Sequence, residues 1–446
     1  AEKLLTNWLT FTLSNFVKDK AGKPLFMLYK AIRFQIEKGP VDVITNEARY
    51  SLSEDKLLRQ SIEYNKLTVT VEFEDNPPVQ VDVLDTDTIE QTKEKIMEVV
   101  FKNVPFSCRE PKDELILKWV ESPSNHTILK DEDTTSLREG EWKRLNTLGH
   151  YQVPDGTCLR LVRRFAFGLD TSEIQNASLP KVSYSPSVYS NSSLVPSSKH
   201  NISDAERKPW HLSKHVDSYV QEKDDPRHSK MLSEIYLTRL LSTKGTLQQY
   251  VDDMFNCIFP TFRKNERPPL PIKFLFDFLD DQARELNITD PEVLHTWKNN
   301  SLPLRFWVNL IKNPNFLFDV YKAPIVDSCL SVIAQLFMDS CSVSEHVLGK
   351  DSPSNKLLYA KEIPAYKNKV ESFYSDVANA PRLTDEEIKD FFSAHYIEDF
   401  NVDSALKQLY QYAAKYQDEL QEALEDARYP QLASKLEHVV AIFSDD

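Results

Sequence analysis

A short stretch in the third quarter of the chain combines side chains that could bind a phosphate or an acidic partner. On a helix over residues 301–314, Arg305, Asn309 and Lys312 are spaced i, i+4 and i+7, which places them on one polar face. The neighbouring positions form a predicted buried stripe of Leu304, Trp307, Val308 and Ile311. A guanidinium, an amide and an ammonium in a row suit a phosphate or a carboxylate-rich surface. The alternative is an exposed helix face whose arginine forms an ordinary surface salt bridge.

Signatures of autonomous catalysis are absent from the sequence. The eight glycines form no Walker loop, no dinucleotide fingerprint and no G-x-S-x-G elbow. No H-E-x-x-H motif occurs, and the ten histidines do not pair at the spacing of metal ligands, so no metal site is predicted. A Ser-His-Asp triad assembled only in space stays open, as it does for almost any chain of this size. An autonomous hydrolase is therefore the weakest function class.

Composition narrows the choice of partner and compartment. The 446 residues suffice for two or three domains, and the net charge of −14 disfavours a nucleic-acid partner, which would need a basic surface. The five cysteines are scattered and never spaced as CxxC, which argues against a disulfide framework and favours a reducing compartment. No run approaches ~18 apolar residues, so no membrane span is predicted. The chain opens on Ala1-Glu2-Lys3, which resembles the inside of a helix, and we expect its start to be a cut.

The elements that must position residues 301–314 are helices at both ends of the chain. Residues 3–39 are predicted to form two amphipathic helices, with Gly22 capping the first and Pro24 opening the second. Helical periodicity dominates from Met231 onward, and a last helix is predicted over residues 424–443. Residues 172–203 are rich in Ser, Asn and Pro and are predicted to be a flexible linker. The pattern suggests one helical domain interrupted by an insertion.

That insertion is predicted to be a β-rich module of about 100 residues. Apolar residues alternate from Leu67 to Phe73 and from Val79 to Val83, which predicts a hairpin. Thr88 and Gln91 form a capping box that starts a helix, and strands follow at residues 115–119 and 157–162. A mixed sheet with one apolar face needs one covering helix, so this order predicts a ubiquitin-like roll.

Several long motifs carry a resemblance to a known family. They are LPLRFWVN at residues 302–309, IYLTRLLSTK at 235–244, FMDSC at 337–341, LGKDSPSNKLLYAK at 348–361, RLNTLGHY at 144–151 and PWHL at 209–212. The sequence resembles the cytoplasmic region of plexins, the single-pass semaphorin receptors. The resemblance covers essentially the whole chain outside the Ser-rich linker.

The resemblance implies a mostly α, multi-helical Ras-GAP-like domain interrupted by an inserted ubiquitin-like α+β (β-grasp) domain. The implied boundaries are 1–62 and 207–446 for the two segments of the activating domain, 63–165 for the inserted module and 166–206 for the linker. The implied function is activation of Rap, a Ras-family GTPase, by arginine supplied in trans, regulated by Rho-family GTPase binding and homodimerisation. The implied location is the cytoplasmic side of the plasma membrane, tethered by an upstream transmembrane helix outside this sequence.

The resemblance also implies site residues in the activating domain. Arg305 matches the second arginine of the family pattern and is expected to support catalysis or to contact the phosphates. Asn309, Lys312 and Lys356 are expected to contact the GTPase. The family's primary arginine pair precedes an E-K-x-L-T-N-W segment, and this chain begins at Ala1-Glu2-Lys3. We therefore expect the chain as given to bind GTPases but to stimulate hydrolysis poorly, unless it is extended upstream. GTP and Mg²⁺ belong to the partner, so no cofactor is expected.

For the inserted module, the resemblance implies a contact face for a Rho-family GTPase of Rac or Rnd type. The implied contact residues are Thr127, Ile128, Leu129, Trp142, His150, Leu161 and Val162. Thr127 and Pro123 stand where the family pattern carries aliphatic residues, which leaves the identity of the partner open. The alternative is that Trp142 is an aromatic residue of the core and not a contact residue.

Three hypotheses follow from the sequence. The first is a GTPase activator that completes the active site of another protein. The second is a non-catalytic scaffold that binds Rho-family GTPases and recruits signalling partners. The third, an autonomous hydrolase, would turn over a small substrate without any GTPase. Hydrolysis rates measured with and without the chain distinguish the first two hypotheses.

Overall fold

A computed structural model describes residues 2–74, 76–122, 125–134, 140–164, 207–214, 226–262, 266–342, 357–394 and 401–444. These residues form two compact units, 1–381 and 382–446. The predicted linker at residues 172–203 lies outside the described residues.

The first unit contains ten described α-helices and seven strands. The helices are α1 Glu2–Thr12, α2 Ser14–Phe16, α3 Gly22–Glu37, α4 Ile89–Val100, α5 Pro226–Ile258, α6 Leu270–Glu285, α7 Pro291–Asn299, α8 Val308–Lys312, α9 Pro324–Cys341 and α10 Ile363–Asn379. The strands are β1 Lys66–Phe73, β2 Val79–Leu84, β3 Leu115–Ser122, β4 Asn125–Leu129, β5 Trp142–Arg144, β6 Cys158–Arg163 and β7 Lys208–Trp210. Two π-helical segments, Val17–Ala21 and Asn300–Trp307, interrupt the α-helical runs.

The N-terminal helices are joined by one of these π-helical segments and not by a capped turn. Gly22 has φ −58° and ψ −50°, which is right-handed helical backbone. The prediction that Gly22 caps the first helix is therefore wrong, because a glycine cap adopts the left-handed conformation. The helix α3 ends at Glu37, two residues before the predicted end of the helical region at residue 39. The result is an almost continuous helical run that supports the segment bearing Arg305, with which α1 is in contact.

The inserted module is a five-stranded mixed sheet in the order β2-β1-β6-β3-β4. The central pair β1 and β6 is parallel, and the other pairs are antiparallel. The helix α4 begins with the predicted capping box, in which the Gln91 backbone N–H donates to the Thr88 hydroxyl at 3.2 Å. This is the strand order of a ubiquitin-like roll, and the prediction of that fold is confirmed. A separate short sheet pairs β5 with β7.

The helical core draws on both sides of the inserted module. One buried apolar cluster includes Leu9, Tyr29 and Ile32 before the module and Phe255, Trp307 and Phe337 after it. The module has its own cluster, which includes Val69, Ile96 and Leu161. Because residues distant in sequence share one core, the helical domain is interrupted by the insertion, as expected.

The helix α9 is long and apolar enough to span a membrane, the one such helix in the described parts of the chain. Its most apolar 18-residue window is 67% buried inside the fold. It contributes Ile325, Leu330, Ile333 and Phe337 to the helical core. Burial of this kind is typical of the central helix of a globular domain, which explains its composition.

The second unit, residues 382–446, consists of the helices α11 Asp385–Ala394, α12 Val402–Lys415, α13 Gln417–Asp426 and α14 Pro430–Ser444 in its described part. The predicted single helix over residues 424–443 is wrong. Arg428 has φ 62°, a left-handed conformation that ends α13, and Pro430 starts α14. Proline disfavours helical backbone at the residue before it, so the break falls at this position. Within the unit, the rings of Tyr410 and Phe443 lie 4.8 Å apart.

Candidate functional site

Arg305 lies in the π-helical segment Asn300–Trp307, which continues directly into α8. A π-helix pairs residues five apart, and segments of this kind occur frequently at functional sites. The wider turn changes which side chains face the core. Leu304 was predicted to be buried, but its side chain is 40% exposed, whereas Leu302 and Phe306 are buried. That prediction is wrong because an α-helical period was applied to a segment with more residues per turn.

The polar face predicted around Arg305 is present as a row of hydrogen-bonded side chains. The half-buried Arg305 donates from Nη1 to the carbonyl oxygen of Asn300 at 2.8 Å, five residues earlier. Asn309 is exposed and donates from Nδ2 to the carbonyl oxygen of Arg305 at 2.7 Å. Asn313 donates in the same way to the carbonyl oxygen of Asn309 at 3.0 Å. The amide side chains thus donate to backbone carbonyls of the preceding turn, and Arg305 lies at the N-terminal end of the row, before the exposed Asn309.

The opposite side of this segment anchors it in the core. Trp307 is fully buried, and its ring meets that of Phe16 edge-on at 6.2 Å and that of Phe306 at 4.9 Å. Edge-to-face aromatic pairs at such distances stabilise the packing beyond simple burial. The N-terminal helical run therefore fixes the rotation of the segment, and with it the direction in which Arg305 points.

A groove of about 550 Å³ runs beside the same segment. Its lining includes Val17 and Lys23 of the N-terminal helical run, together with Phe306, Leu310 and Phe318. Its lining is largely apolar, with the lysines at residues 18 and 23 as its charged side chains. The segment thus borders an apolar groove in addition to the polar row.

Of the two lysines predicted to contact the GTPase, the structure describes Lys312 but not Lys356. Lys312 ends α8 and is half-buried, and its carbonyl oxygen accepts a hydrogen bond from Lys322 Nζ at 3.1 Å. Lys356 lies outside the described residues. Among the residues that the structure describes, no group of three His, Cys, Asp or Glu side chains is placed to hold a metal ion.

The predicted contact face of the inserted module is only partly available. The strand β4 is an edge strand, and within it Thr127 and Ile128 are half-buried. Leu129 is 5% exposed and Leu161 is 0% exposed, and both belong to the core of the module. Their assignment to a contact face is wrong, because alternate residues of a strand point to opposite faces and these two face α4. Val162 follows Leu161 and is half-buried.

The strand register relates the remaining contact candidates to one another. Ile128 pairs with Lys118, and Val162 pairs with Ile116, two positions away on the same strand. Side chains two positions apart share a face, so Ile128 and Val162 lie on the face opposite the core. Thr127 lies on the alternate face at the sheet edge.

Trp142 and His150 lie beyond the end of β4. Trp142 is half-buried in β5, and Lys208 Nζ sits 5.8 Å from the centre of its ring. The imidazole of His150 packs edge-on against Tyr151 at 5.7 Å, and burial lowers its pKa. The Tyr151 hydroxyl accepts from Lys130 N at 2.9 Å, which ties this region to the end of β4. Trp142 is therefore neither a full core aromatic nor a fully exposed contact.

The contacts that hold the end of α8 were not found in the sequence. Lys322 Nζ donates to the carbonyl oxygen of Lys312 and, at 3.0 Å, to Asn313 Oδ1. It also forms an ion pair with Asp327 at 2.6 Å. The four-residue spacing of Asn309 and Asn313 was a local signal for part of this arrangement. No local pattern pointed to Lys322.

Comparison with known proteins places this geometry in a family. A family model described as the plexin cytoplasmic RasGAP domain matches residues 1–420. Plexin-A4 of Danio rerio is 50% identical over 460 residues, which cover 100% of this chain and 24% of the relative. Plexin-A2 of Mus musculus is also 50% identical with the same coverage. The chain belongs to the plexin family.

The plexin match concerns one part of longer proteins, because the chain spans about a quarter of the length of these relatives. This part is the plexin cytoplasmic RasGAP domain, a signalling region with the fold of a GTPase activator. A crystal structure of the ubiquitin like domain of PLXNC1 matches at 28% identity with a TM-score of 0.19, covering 22% of this chain and 100% of that chain. The ubiquitin-like assignment of the inserted module rests on its own strand order.

Proposed function

We propose that this plexin region activates a Ras-family GTPase of the Rap type and that Arg305 contributes to the reaction in trans. The observation that supports this proposal is the placement of the half-buried Arg305 beside the exposed Asn309 in a polar row, on a segment whose opposite side is anchored by Trp307. A rigid support matters because an inserted guanidinium acts only when it is held in a defined position.

The chemistry follows from the charge that develops during phosphoryl transfer. A small GTPase alone is slow because negative charge on the transferring phosphate is incompletely stabilised. An arginine supplied by a partner complements that charge, and in such systems it accelerates hydrolysis by about 10³–10⁵-fold. In this proposal the chain needs no cofactor of its own, since GTP and Mg²⁺ are bound by the GTPase.

The neighbouring polar residues receive supporting roles in the same proposal. The Asn309 side chain is exposed one turn from Arg305 and is proposed to contact the GTPase. Lys312 and Lys356 are proposed as further contacts through their positive charge. The supporting observation is strongest for Asn309, whose amide is fixed by its bond to the Arg305 carbonyl.

The inserted module is proposed to bind a Rho-family GTPase of the Rac or Rnd type. Thr127, Ile128 and Val162 on the sheet, with Trp142 and His150 beyond the end of β4, are the proposed contacts. We further propose homodimerisation on activation, a position on the cytoplasmic side of the plasma membrane, and domain boundaries at residues 62/63, 165/166 and 206/207. The proposed tether is an upstream transmembrane helix outside this sequence.

Single-turnover GTP hydrolysis by a panel of Ras-family GTPases tests the activating role. The chain as given is compared with a chain extended upstream through the arginine pair that the family pattern implies. We expect the extended chain to accelerate hydrolysis by Rap and Arg305→Ala to lose most of that acceleration while remaining folded. Arg305→Lys should recover only part, because an ammonium cannot make the bidentate contacts of a guanidinium.

A matched control is Arg284→Ala on α6, which removes an exposed arginine that pairs with Asp281 within its own helix. Its activity should equal that of the parent chain. Full activity of Arg305→Ala would show that the role given to Arg305 is wrong. Equal hydrolysis rates with and without the extended chain, despite intact GTPase binding, would favour the scaffold hypothesis.

A further inference from the structure

The short connector between α8 and α9 touches three parts of the molecule at once. This connector, residues 317–323, follows the 3-10 turn Pro314–Phe316 and ends just before Pro324, where α9 begins. It therefore starts five residues after the helix that continues the Arg305 segment. Its contacts reach the end of that helix, the inserted module and the helix α3.

The first contact holds the end of the Arg305 helix. Lys322 Nζ donates to the Lys312 carbonyl oxygen at 3.1 Å and to Asn313 Oδ1 at 3.0 Å, and it pairs with Asp327 at 2.6 Å. A cation at a helix C-terminus satisfies carbonyl groups that have no partner within the helix and interacts favourably with the helix dipole. Because Asn313 in turn holds the Asn309 carbonyl, Lys322 supports the end of the polar row that contains Arg305.

The second contact joins the connector to the inserted module. The Asp319 carboxylate accepts from the Ser107 backbone N–H at 3.0 Å and from the Ser107 hydroxyl at 2.9 Å. The rings of Phe106 and Tyr321 stack with a centroid distance of 6.0 Å and an angle of 22°. Both contacts come from the loop that follows α4, so this loop of the module is bonded directly to the connector.

The third contact fixes the connector to α3, which is also tied to the module. The buried Tyr29 hydroxyl donates to the Tyr321 carbonyl oxygen at 2.7 Å. One turn further along α3, Arg33 pairs with Glu98 of α4 at 2.8 Å, and Arg109 pairs with the same carboxylate at 2.7 Å. The module thus reaches Tyr321 both directly and through a half-buried ion-pair cluster.

We propose that Lys322 is a positioning residue for Arg305, and that residues 317–323 transmit the position of the inserted module to the Arg305 helix. The functional consequence of this inference rests on the proposed function. If a GTPase binds to the module, these contacts give that binding a physical route to the activating arginine. The coupling itself requires only the contacts described above. It can therefore be measured without any GTPase.

Amide hydrogen exchange of residues 308–313 measures the coupling in the chain as given. Lys322→Met keeps most of the side-chain volume and removes the charge, and we expect exchange in this helix to rise about tenfold, the effect of losing a charge-assisted hydrogen bond. Tyr29→Phe and Asp319→Ala leave Lys322 in place, and each should raise exchange at residues 308–313 about threefold. The effect is smaller because the Asp319 contact is exposed and because Tyr29→Phe removes only one hydroxyl group. Asp319→Asn keeps an acceptor for Ser107 and should restore most of the protection.

The matched control is Lys244→Met, because Lys244 is also a half-buried lysine with an ion pair of 2.6 Å. This pair joins Lys244 on α5 to Glu362, the residue directly before α10. It should leave exchange at residues 308–313 unchanged. The double variant Ser107→Ala/Asp319→Ala should match the Asp319→Ala single variant, because both changes break the same contact. Additive effects of the two changes would overturn the proposed route through that contact.

Hydrolysis measured on the extended chain separates this inference from the proposed function. Lys322→Met should lower the maximal stimulated rate about tenfold with the affinity for the GTP-loaded GTPase unchanged, since a misplaced arginine affects the transition state more than binding. Unchanged exchange at residues 308–313 in Lys322→Met overturns the inference even if Arg305→Ala abolishes activity. Raised exchange in a chain that never stimulates hydrolysis supports the coupling and overturns the proposed function instead.

Discussion

Replacing Asp42 by asparagine should loosen the point where the chain re-enters the helical domain after the inserted module. Asp42 is fully buried and precedes the module, and its carboxylate binds residues on both sides of the insertion. Oδ1 accepts from the backbone N–H groups of Ile44 at 2.8 Å and Thr45 at 3.0 Å. Oδ2 accepts from the N–H of Leu212 at 3.0 Å and from both the N–H and the hydroxyl of Ser213 at 2.6 and 2.9 Å.

The size of the effect follows from the atoms that change. In Asp42→Asn the retained oxygen can still serve the Ile44 and Thr45 amides, while the new NH₂ group faces the donors of Leu212 and Ser213. Two backbone donors then lack an acceptor, at about 1–3 kcal/mol each when buried. Because these donors are only partly buried, we expect about 2–3 kcal/mol in total, a roughly 30- to 150-fold faster local opening.

Hydrogen exchange at Leu212 and Ser213 is the direct assay, since their amides report the opening of this contact. The matched control is Asp85→Asn, because Asp85 also accepts from a backbone N–H and a side chain, both of Asn65 at 2.9 Å, but at an exposed position. It should leave exchange at Leu212 and Ser213 unchanged. An equally small effect in Asp42→Asn would refute the assignment of Asp42 as the tie between the two sides of the insertion.

The same carboxylate gives the contact a defined pH dependence. Burial raises the pKa of Asp42, but the backbone N–H groups of Thr45, Ser213 and Ile44 outweigh it, and the net shift is downward from 3.8. A carboxyl whose pKa is lower when folded stabilises the fold above its ordinary pKa and loses that contribution as pH falls through the lower value. Protection at Leu212 and Ser213 should therefore stay constant from neutral pH to about pH 4 and decline below it.

Two further predictions concern buried aromatic and imidazole rings. His211 is 2% exposed and donates from Nε2 to the Thr86 carbonyl oxygen at 2.8 Å, and burial lowers its pKa from 6.5 despite nearby Asp42 and Asp87. Because His211 takes up a proton at a higher pH in the unfolded chain than in the folded one, the free energy of unfolding in urea should fall as the pH drops below 6.5. His211→Gln should reduce the slope of this free energy against pH, and identical slopes in the parent chain and the variant would contradict the prediction. Trp307→Ala should cost about 3–5 kcal/mol in urea unfolding, because it removes a fully buried ring, and a loss below about 0.5 kcal/mol would show that the ring does not anchor the Arg305 segment.

Local sequence signals were sufficient for the elements whose contacts are local. The capping box of Thr88 and Gln91 lies within four residues, and it starts α4 where the sequence predicted. The alternation in β1 and β2 correctly assigned Val69, Val71, Val81 and Val83 to the core of the module. A hairpin and the helix that follows it depend mainly on such short-range patterns, which is why the ubiquitin-like roll could be predicted.

Helix irregularities were the main local failure. Both π-helical segments were predicted as ordinary helices or turns, since nothing in the residue spacing of residues 17–21 or 300–307 distinguishes five-residue from four-residue pairing. The error placed Leu304 in the core, whereas the predicted proximity of Arg305 and Asn309 is present as a hydrogen bond from Asn309 to the Arg305 carbonyl. A similar error occurred at Leu129 and Leu161, which were assigned to a contact face but are buried. The resemblance indicated which strand positions matter but not the face to which each side chain points.

The position of Arg305 depends on contacts that no local pattern contains. The hydroxyl of Tyr29 and the carbonyl of Tyr321 are 292 residues apart in the sequence, and Ser107 and Asp319 are 212 residues apart. The two partners of each pair belong to different elements, so no pattern within one element can indicate the contact. Here a loop inside the inserted module, the one that follows α4, touches the connector beside the Arg305 helix. The module is inserted within the sequence of the helical domain, and in the folded protein it therefore becomes one of the supports of the segment that carries Arg305.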